Sequence, residues 1–372
     1  MTFADLGIEP LFVKALQENG IVKPTEIQQK ALPFLLEKGS DFIGQAQTGT
    51  GKTAAFGLPI LHLIDPDKKQ IQALILAPTR ELGQQIAKQL FMFTKYAPKK
   101  IFAEAVYGGA PIGNQISALQ RPTHILVATP GRLIDLIERK AVDITNVKVV
   151  VLDEADEMLS MGFKDELTHI LTVTPRKKSV WLFSATMPPE IKDIIKNYLA
   201  PDAFRIDVAK KDEINKDIEH QFVICNSDDK HEVLLNFLKS QGANRGVIFC
   251  KTKAGAQELA EKLLSVDRFN AGAIHGDLLQ KERDKVMRAF KNGKLKILVA
   301  TDLAARGIDV ENLAYVVHFN LPEQIEYYTH RSGRTARAGK KGLSLSIITS
   351  NEMSALKNIE RVLNISMKKI IK

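Results

Sequence analysis

Short apolar or β-branched runs recur along the chain at the spacing of a strand-and-helix repeat, and no other feature narrows the fold as far. ALILA (73–77), HILVA (124–128), KVVVLD (148–153) and SVWLFSA (179–185) are each long enough for one strand and too uniformly apolar for a strand with one wet face. They predict buried parallel strands covered by helices. Between the first two, Leu82, Ile86, Leu90 and Phe93 fall at spacings of four, four and three, which puts one apolar stripe on a helix beginning after Pro78-Thr79. A second series follows in FVIC (222–225), GVIFC (246–250), KILVATD (296–302), YVVHFN (315–320) and LSLSIIT (343–349). The expectation is an α/β chain of two tandem domains, each a mostly parallel sheet flanked by helices, with a weak duplication between two similarly wound sheets. The charged stretch DVAKKDEINKDI (207–218) has no apolar period. It predicts a first domain over 1–208, a linker over 209–218 and a second domain over 219–372.

A chain of 372 residues, 45% hydrophobic and 26% charged, can bury two such cores and is far from a disordered composition. No uncharged apolar stretch approaches the ~20 residues needed to cross a bilayer, and Asp5 and Glu9 interrupt the start where a signal peptide would run apolar. A soluble, cytoplasmic protein with no membrane partner is expected. Cys225 and Cys250 lack the spacing of a metal site and read as buried thiols. The net charge of +9 permits a polyanionic partner such as nucleic acid. Aromatic residues are only 6% of the chain, so base-stacking platforms are scarce and the backbone of such a partner is the better handle.

AQTGTGKT (Ala46 to Thr53) follows the apolar DFIG and precedes a plausible helix, the context that a phosphate-binding loop requires. Its glycines let backbone N–H groups converge on phosphate oxygens, and the helix N-terminus adds positive potential. Lys52 would reach the β- and γ-phosphates and Thr53 would ligate Mg²⁺. Ala46 stands where the first glycine of the strict pattern belongs, so the segment taken alone could be a plain glycine turn. KVVVLDEAD (148–156) supplies the complement. A buried strand ending in two carboxylates can aim Asp153 at the Mg²⁺ shell and Glu154 at an attacking water. In HRSGRTARAG (330–339), Arg331, Arg334 and Arg337 recur every three residues and would share one helical face, as they would on any basic helix.

Together these segments resemble the DEAD-box RNA helicases of superfamily 2, whose phosphate loop usually reads AxTGxGKT with alanine first. The resemblance runs from Phe3 to about Ile348 through the family's motifs in order. It implies two RecA-like domains that close on ATP and Mg²⁺ at their interface and on one RNA strand across their surface. The implied function is an ATP-dependent RNA helicase that hydrolyses ATP in response to RNA and separates short duplexes locally by bending one strand. An ATP-gated RNA clamp with little processive unwinding would be built from the same parts.

Carried over by position, the resemblance makes Gln47, Thr48, Gly49, Thr50, Gly51, Lys52 and Thr53 the phosphate loop. In the Q motif, Gln28 of GIVKPTEIQ (20–28) reads the adenine edge and Phe3 packs on the ring. Outside that context Phe3 reads as a core residue and Gln28 as an exposed helix polar group. Asp309 of ATDLAARGID touches the ribose, and Arg334 and Arg337 are arginine fingers on the γ-phosphate. Ser332 and Ala336 replace the family's common Ile and Gly. Ser184 and Thr186 of SAT, with His330, link the acidic box at Asp156 to the rest; alone, SAT is a turn. RNA contacts fall on Arg80 of PTREL, Gly109, Thr129 and Arg132 of TPGR, then Thr252, Gln280, Arg283 and Thr301. Phosphate and sugar contacts position a strand without reading its bases, so binding is expected to be independent of sequence. Ribonucleoprotein or RNA-decay partners are compatible with this reading, but no residue singles one out.

Overall fold

A computed structural model describes residues 1–37, 39–47, 49–175, 179–208, 216–266, 269–305, 313–336 and 341–370, the side chains of 303, 305 and 326 excepted. The chain divides into two compact units, Met1–Lys210 and Lys211–Lys372. Among the described residues each unit holds one seven-stranded sheet, parallel throughout. The first contains β1 (Phe42–Gln45), β2 (Ala73–Leu76), β3 (Ala103–Val106), β4 (Ile125–Ala128), β5 (Val149–Leu152), β6 (Ser179–Ser184) and β7 (Phe204–Asp207). The second contains β8 (Ile218–Ile224), β9 (Gly246–Phe249), β10 (Ala271–Ile274), β11 (Ile297–Ala300), β12 (Tyr315–His318), β13 (Gly342–Ile348) and β14 (Lys368–Lys369). The orders are β3-β4-β2-β5-β6-β1-β7 and β10-β11-β9-β12-β13-β8-β14. Numbered within its own unit, each sheet reads 3-4-2-5-6-1-7, so the duplication extends to every strand.

The central strands carry no polar alternation because helices cover both of their faces. Successive residues of β2, β4 and β5 fall into two separate cores. Ala73, Ile75, Ile125, Val127, Val149 and Val151 pack on one side with Trp181 and Phe183. Leu74, Leu76, Leu126, Val150 and Leu152 pack on the other with Val180 and Leu182. The second sheet divides likewise, with Ile248, Val299 and Val317 opposed to Val247, Leu298 and Val316. The expected helix spans Arg80–Phe93 and buries Ile86, Leu90 and Phe93; Thr79 caps it, accepting a hydrogen bond from the Leu82 N–H at 3.3 Å.

Several outer strands are absent from the expected runs. β3 is half-buried over three of its four residues, and β7 buries only Ile206, so neither shows the uniformly apolar pattern. Ile218, expected as the last linker residue, instead opens β8, paired with Gly342 and 6% exposed. Of the expected linker, residues 209 to 215 lie outside the described residues. Cys250 is buried as expected, whereas Cys225 is only partly so. No described helix is long and apolar enough to cross a membrane.

Candidate functional site

In an open parallel sheet, loops that leave the carboxyl ends of the strands form the ligand-facing edge. The strand order sorts the motifs along that edge. The acidic box, SAT and the phosphate loop follow β5, β6 and β1, which are adjacent, with Leu152 beside Leu182 and Gln45 beside Ser184. PTREL, Gly108-Gly109 and TPGR follow β2, β3 and β4, the adjacent trio on the other half.

In the phosphate loop, Ala46 N–H donates to the Ser184 carbonyl at 2.9 Å and Thr50 Oγ1 donates to the Gln47 carbonyl at 2.7 Å. Gly51 takes φ +90° immediately before Lys52, the first residue of helix Lys52–Leu63. A Cβ on Gly51 would lie 2.3 Å from Gln28 Nε2, closer than atoms can approach. Gln28 is 2% exposed; its Nε2 donates to the Gly51 carbonyl at 2.9 Å and its Oε1 accepts from Thr25 N–H at 2.9 Å. Gln28 is therefore not an exposed polar group. Both ends of its amide are engaged by the chain's own backbone, and an adenine would have to share or replace those bonds. Phe3 is 2% exposed and sits in the core with Leu6, Ile8 and Phe12, as its residue type alone predicts. It would have to leave that core to pack on a nucleotide ring.

Lys52 Nζ donates to the Ala46 carbonyl at 3.3 Å and lies 3.8 Å from Asp153 Oδ1. Burial pushes the Asp153 carboxyl pKa up to about 7, against the opposing pull of the Lys52 charge. Among the described residues, Asp153 Oδ1 is buried and accepts no hydrogen bond. No described cluster of three or more His, Cys, Asp or Glu forms a metal cage. Mg²⁺ is commonly held by one or two protein oxygens and completed by water and phosphate. The bare Asp153 oxygen and the half-buried Thr53 fit that sparse demand. At Glu154 the backbone is left-handed (φ 52°, ψ 52°), turning the strand directly into helix Ala155–Ser160.

The acidic box and SAT meet. Thr186 donates to Asp156 Oδ2 through both N–H and Oγ1, each at 2.8 Å. Ser184 Oγ donates to the Thr186 carbonyl at 2.7 Å and accepts from Asp156 N–H at 3.3 Å.

On the other half of the edge, two arginines engage the loop after β3. The Arg80 guanidinium lies 4.6 Å from the ring centroid of Tyr107. Arg132 Nη2 donates to the Ala110 carbonyl at 3.0 Å, while its buried Nη1 has no partner among the described residues. Between these contacts Gly109 takes φ +77°. Thr129 N-caps helix Pro130–Glu138 without a side-chain capping bond. Tyr107 was not among the expected residues; the sequence signal for it is an aromatic residue at a strand end just before Gly-Gly.

In the second unit Thr252 caps helix Lys253–Leu264, its Oγ1 accepting from Gly255 N–H at 3.0 Å. Gln280 opens helix Gln280–Lys291 and donates to Asp284 Oδ1 at 2.8 Å. Arg283 Nη2 donates to the Ala304 carbonyl at 2.8 Å, and Thr301, 7% exposed, follows β11. These four follow the adjacent β9, β10 and β11, repeating the arrangement of the first unit.

The shared arginine face does not form. Helix Ile325–Ser332 ends at Gly333, so Arg334 lies past the helix in a half-buried turn, and Arg331 points inward, 2% exposed. Gly333 closes the helix at φ −66°, without a left-handed cap, and its low helix propensity works against continuing the three-residue period. Ala336 takes φ +56°, a left-handed conformation that suits the family's common glycine better than alanine. His330 is half-buried, its ring 6.5 Å from that of Tyr327. Thr48, Asp309 and Arg337 lie outside the described residues.

Comparison with known proteins gives the same picture. The DEAD/DEAH box helicase family model matches residues 25–194, and the helicase conserved C-terminal domain matches residues 229–339. The chain is 43% identical to the ATP-dependent RNA helicase CshA of Limosilactobacillus reuteri, over 99% of this chain and 73% of that protein. It is 42% identical to the CshA of Listeria monocytogenes, over 96% and 68%. Among solved structures, S. cerevisiae Dbp5 bound to RNA and ADP BeF3 superposes with a TM-score of 0.90 at 33% identity, covering 100% of this chain and 95% of that one. A DEAD box protein from Methanococcus jannaschii gives 0.56 at 42% identity, covering 100% and 99%. With the phosphate loop, acidic box and SAT assembled on a RecA-like sheet and a second sheet of the same winding behind them in sequence, the chain belongs to the DEAD-box ATP-dependent RNA helicases of superfamily 2.

Proposed function

We propose that this helicase hydrolyses ATP in response to RNA and separates short duplexes by gripping one strand through its phosphates and bending it, so that the strand no longer fits its complement. Lys52 holds the β- and γ-phosphates on the loop from Gln47 to Gly51. Thr53 and Asp153 hold Mg²⁺, which when bound neutralises charge on the transferring phosphoryl group. Glu154 orients the attacking water. Arg334 and Arg337 stabilise the charge that spreads over the phosphoryl oxygens. Gln28 and Phe3 recognise adenine and Asp309 the ribose, while Asp156, Ser184, Thr186 and His330 couple the sites. The units 1–208 and 219–372 each contribute a share of these groups.

The observation that carries this reading is the division of the ligand-facing edge. In both units the segments assigned to RNA follow the trio of strands on one half of the sheet, a sequence-distant set that the fold makes contiguous. Arg132, whose buried Nη1 has no partner among the described residues, is the side chain there that supports a phosphate contact. That Dbp5 has been solved with RNA and ADP BeF3 supports the choice of ligands. The test is ATP hydrolysis measured without polymer, with single-stranded RNA and with matched single-stranded DNA. Stimulation by RNA alone is expected; equal rates in all three reactions reject an RNA-responsive site.

A further inference from the structure

In the second sheet the segments assigned to RNA leave β9, β10 and β11, whereas Arg334 lies in the connection between β12 and β13. One buried side chain spans that divide. Arg331 makes a two-point ion pair with Asp302, Nε to Oδ1 at 2.5 Å and Nη2 to Oδ2 at 2.7 Å. Its Nη1 donates to the Asn320 carbonyl at 2.8 Å and approaches His318 Nδ1 at 3.3 Å. Its guanidinium also lies 5.0 Å from the Phe249 ring centroid. Contacts therefore reach the ends of β9, β11 and β12 together. Burial and the Arg331 charge both hold His318 well below its ordinary pKa, so a neutral ring can accept at Nδ1 and bond Ser332 and Ser344 through Nε2.

Asp302 opens the turn Asp302–Ala305, and that turn is gripped from its other side by Arg283, which donates to the Ala304 carbonyl. The turn thus stands between a helix assigned to RNA and the helix end that precedes Arg334. A planar, permanently charged guanidinium holds such a junction in one geometry, which a lysine ammonium cannot reproduce.

We propose that Arg331 is a positioning residue which, through Asp302, makes the placement of Arg334 depend on RNA engagement at the Arg283 side of the same turn. The proposal deepens the function proposed above and rests on it.

The test compares the full chain with Arg331→Lys and Asp302→Asn. For each, the affinity for a single-stranded RNA is measured with and without a non-hydrolysable ATP analogue, alongside the affinity for the analogue alone and a thermal melt. In the unaltered chain each ligand should strengthen the other by one common factor, commonly about 5- to 150-fold. Both variants should keep each separate affinity within about twofold while that factor falls to near one. The double variant should be no worse than the single ones, because both break the same link. Variants that keep the full enhancement overturn the role of Arg331 alone. Variants that lose both separate affinities, but in which the remaining binding still shows the enhancement, reduce Arg331 to a packing residue. No enhancement in the unaltered chain overturns the coupling and the proposed function together. Asp302→Asn, which preserves shape, keeps the test decisive if Arg331→Lys does not fold.

Discussion

Lys52 Nζ stands 3.8 Å from Asp153 Oδ1, with the two side chains only 5% and 3% exposed. That separation is too long for a good hydrogen bond, so the pair gains Coulomb attraction without full compensation for the water both groups have lost. Burial then outweighs the lysine in setting the Asp153 proton affinity. An incoming phosphate would draw Lys52, and a divalent cation would draw the carboxylate, each replacing a poorly satisfied contact.

The first prediction concerns pH. A cation binds the Asp153 carboxylate and not the acid, so below a pKa of about 7 a proton must leave for each ion bound. The Mg²⁺ concentration giving half-maximal hydrolysis should rise as pH falls from 8 to 6, approaching about tenfold per pH unit. The slope should vanish in Asp153→Asn, whose residual activity needs more Mg²⁺ at every pH. A pH-independent Mg²⁺ requirement in the unaltered chain would remove Asp153 from the ion's shell.

Gly51 offers a second test. Alanine there must adopt φ +90° and place its Cβ against Gln28 Nε2. Relief by moving Gln28 would break its bonds to Thr25 and Gly51, opening the phosphate loop. Gly51→Ala should weaken ATP binding at least tenfold while costing about 1 to 3 kcal/mol of stability. Equilibrium nucleotide titration and a thermal melt report the two effects separately.

Much of this is legible in the sequence alone, and the limits have physical causes. Strands covered on both faces announce themselves by uniform apolarity, so β2, β4 and β5 stand out, as does the Thr79-capped helix. Edge strands β3 and β7 are half-wet and leave no such mark. The Gln28 amide is hidden by a contact with Gly51, 23 residues away, and Arg331 by its pairing with Asp302, 29 residues away. Neither partner is visible in local spacing. At Arg334 two local signals conflicted: the three-residue arginine period favoured a continuing helix, and Gly333 favoured its end. The glycine prevailed.

Ending the helix at Gly333 leaves Arg334 outside any regular element, so removing its side chain interrupts no helix or strand. Arg334→Ala should bind ATP within about threefold of the unaltered chain and lose on the order of 10³ or more in turnover, because a finger acts chiefly on transition-state charge. Single-turnover hydrolysis beside a binding isotherm decides it; near-normal turnover excludes Arg334 from the reaction.

Ala336 predicts a gain. Its left-handed backbone costs an alanine about 1 to 2 kcal/mol that a glycine would not incur, set against the roughly 0.4 to 1 kcal/mol by which glycine favours the unfolded chain. Ala336→Gly should therefore raise the melting temperature of the second unit slightly. A clear fall would mean that the buried methyl contributes more than the strain removes.

The last prediction separates the units by acid. In the second unit, burial pulls His220 down to about 4 and holds His318 well below its ordinary value. Around them lie the Tyr328 hydroxyl, 2.9 Å from His220 Nδ1, the Arg331 guanidinium, and Ser332 and Ser344. Unfolded histidines titrate near 6.5, so between that pH and about 4 the unfolded chain binds more protons than the folded one. The stability these neutral rings allow is complete above pH 6.5 and is lost as pH falls, to a ceiling of about 3 kcal/mol for His220. Asp153 in the first unit has the opposite sign, since a raised carboxyl pKa favours the folded state as pH falls towards 4, and it opposes the smaller effect of His124, which burial also lowers. Trp181, the chain's single tryptophan, is fully buried in the first unit and reports its unfolding alone, while far-ultraviolet dichroism follows both. On going from pH 7 to 5, the dichroism midpoint in urea should fall before the fluorescence midpoint moves. Replacing His220 with phenylalanine should flatten that difference. Equal acid sensitivity in both signals, or no change in the variant, contradicts the assignment to these imidazoles.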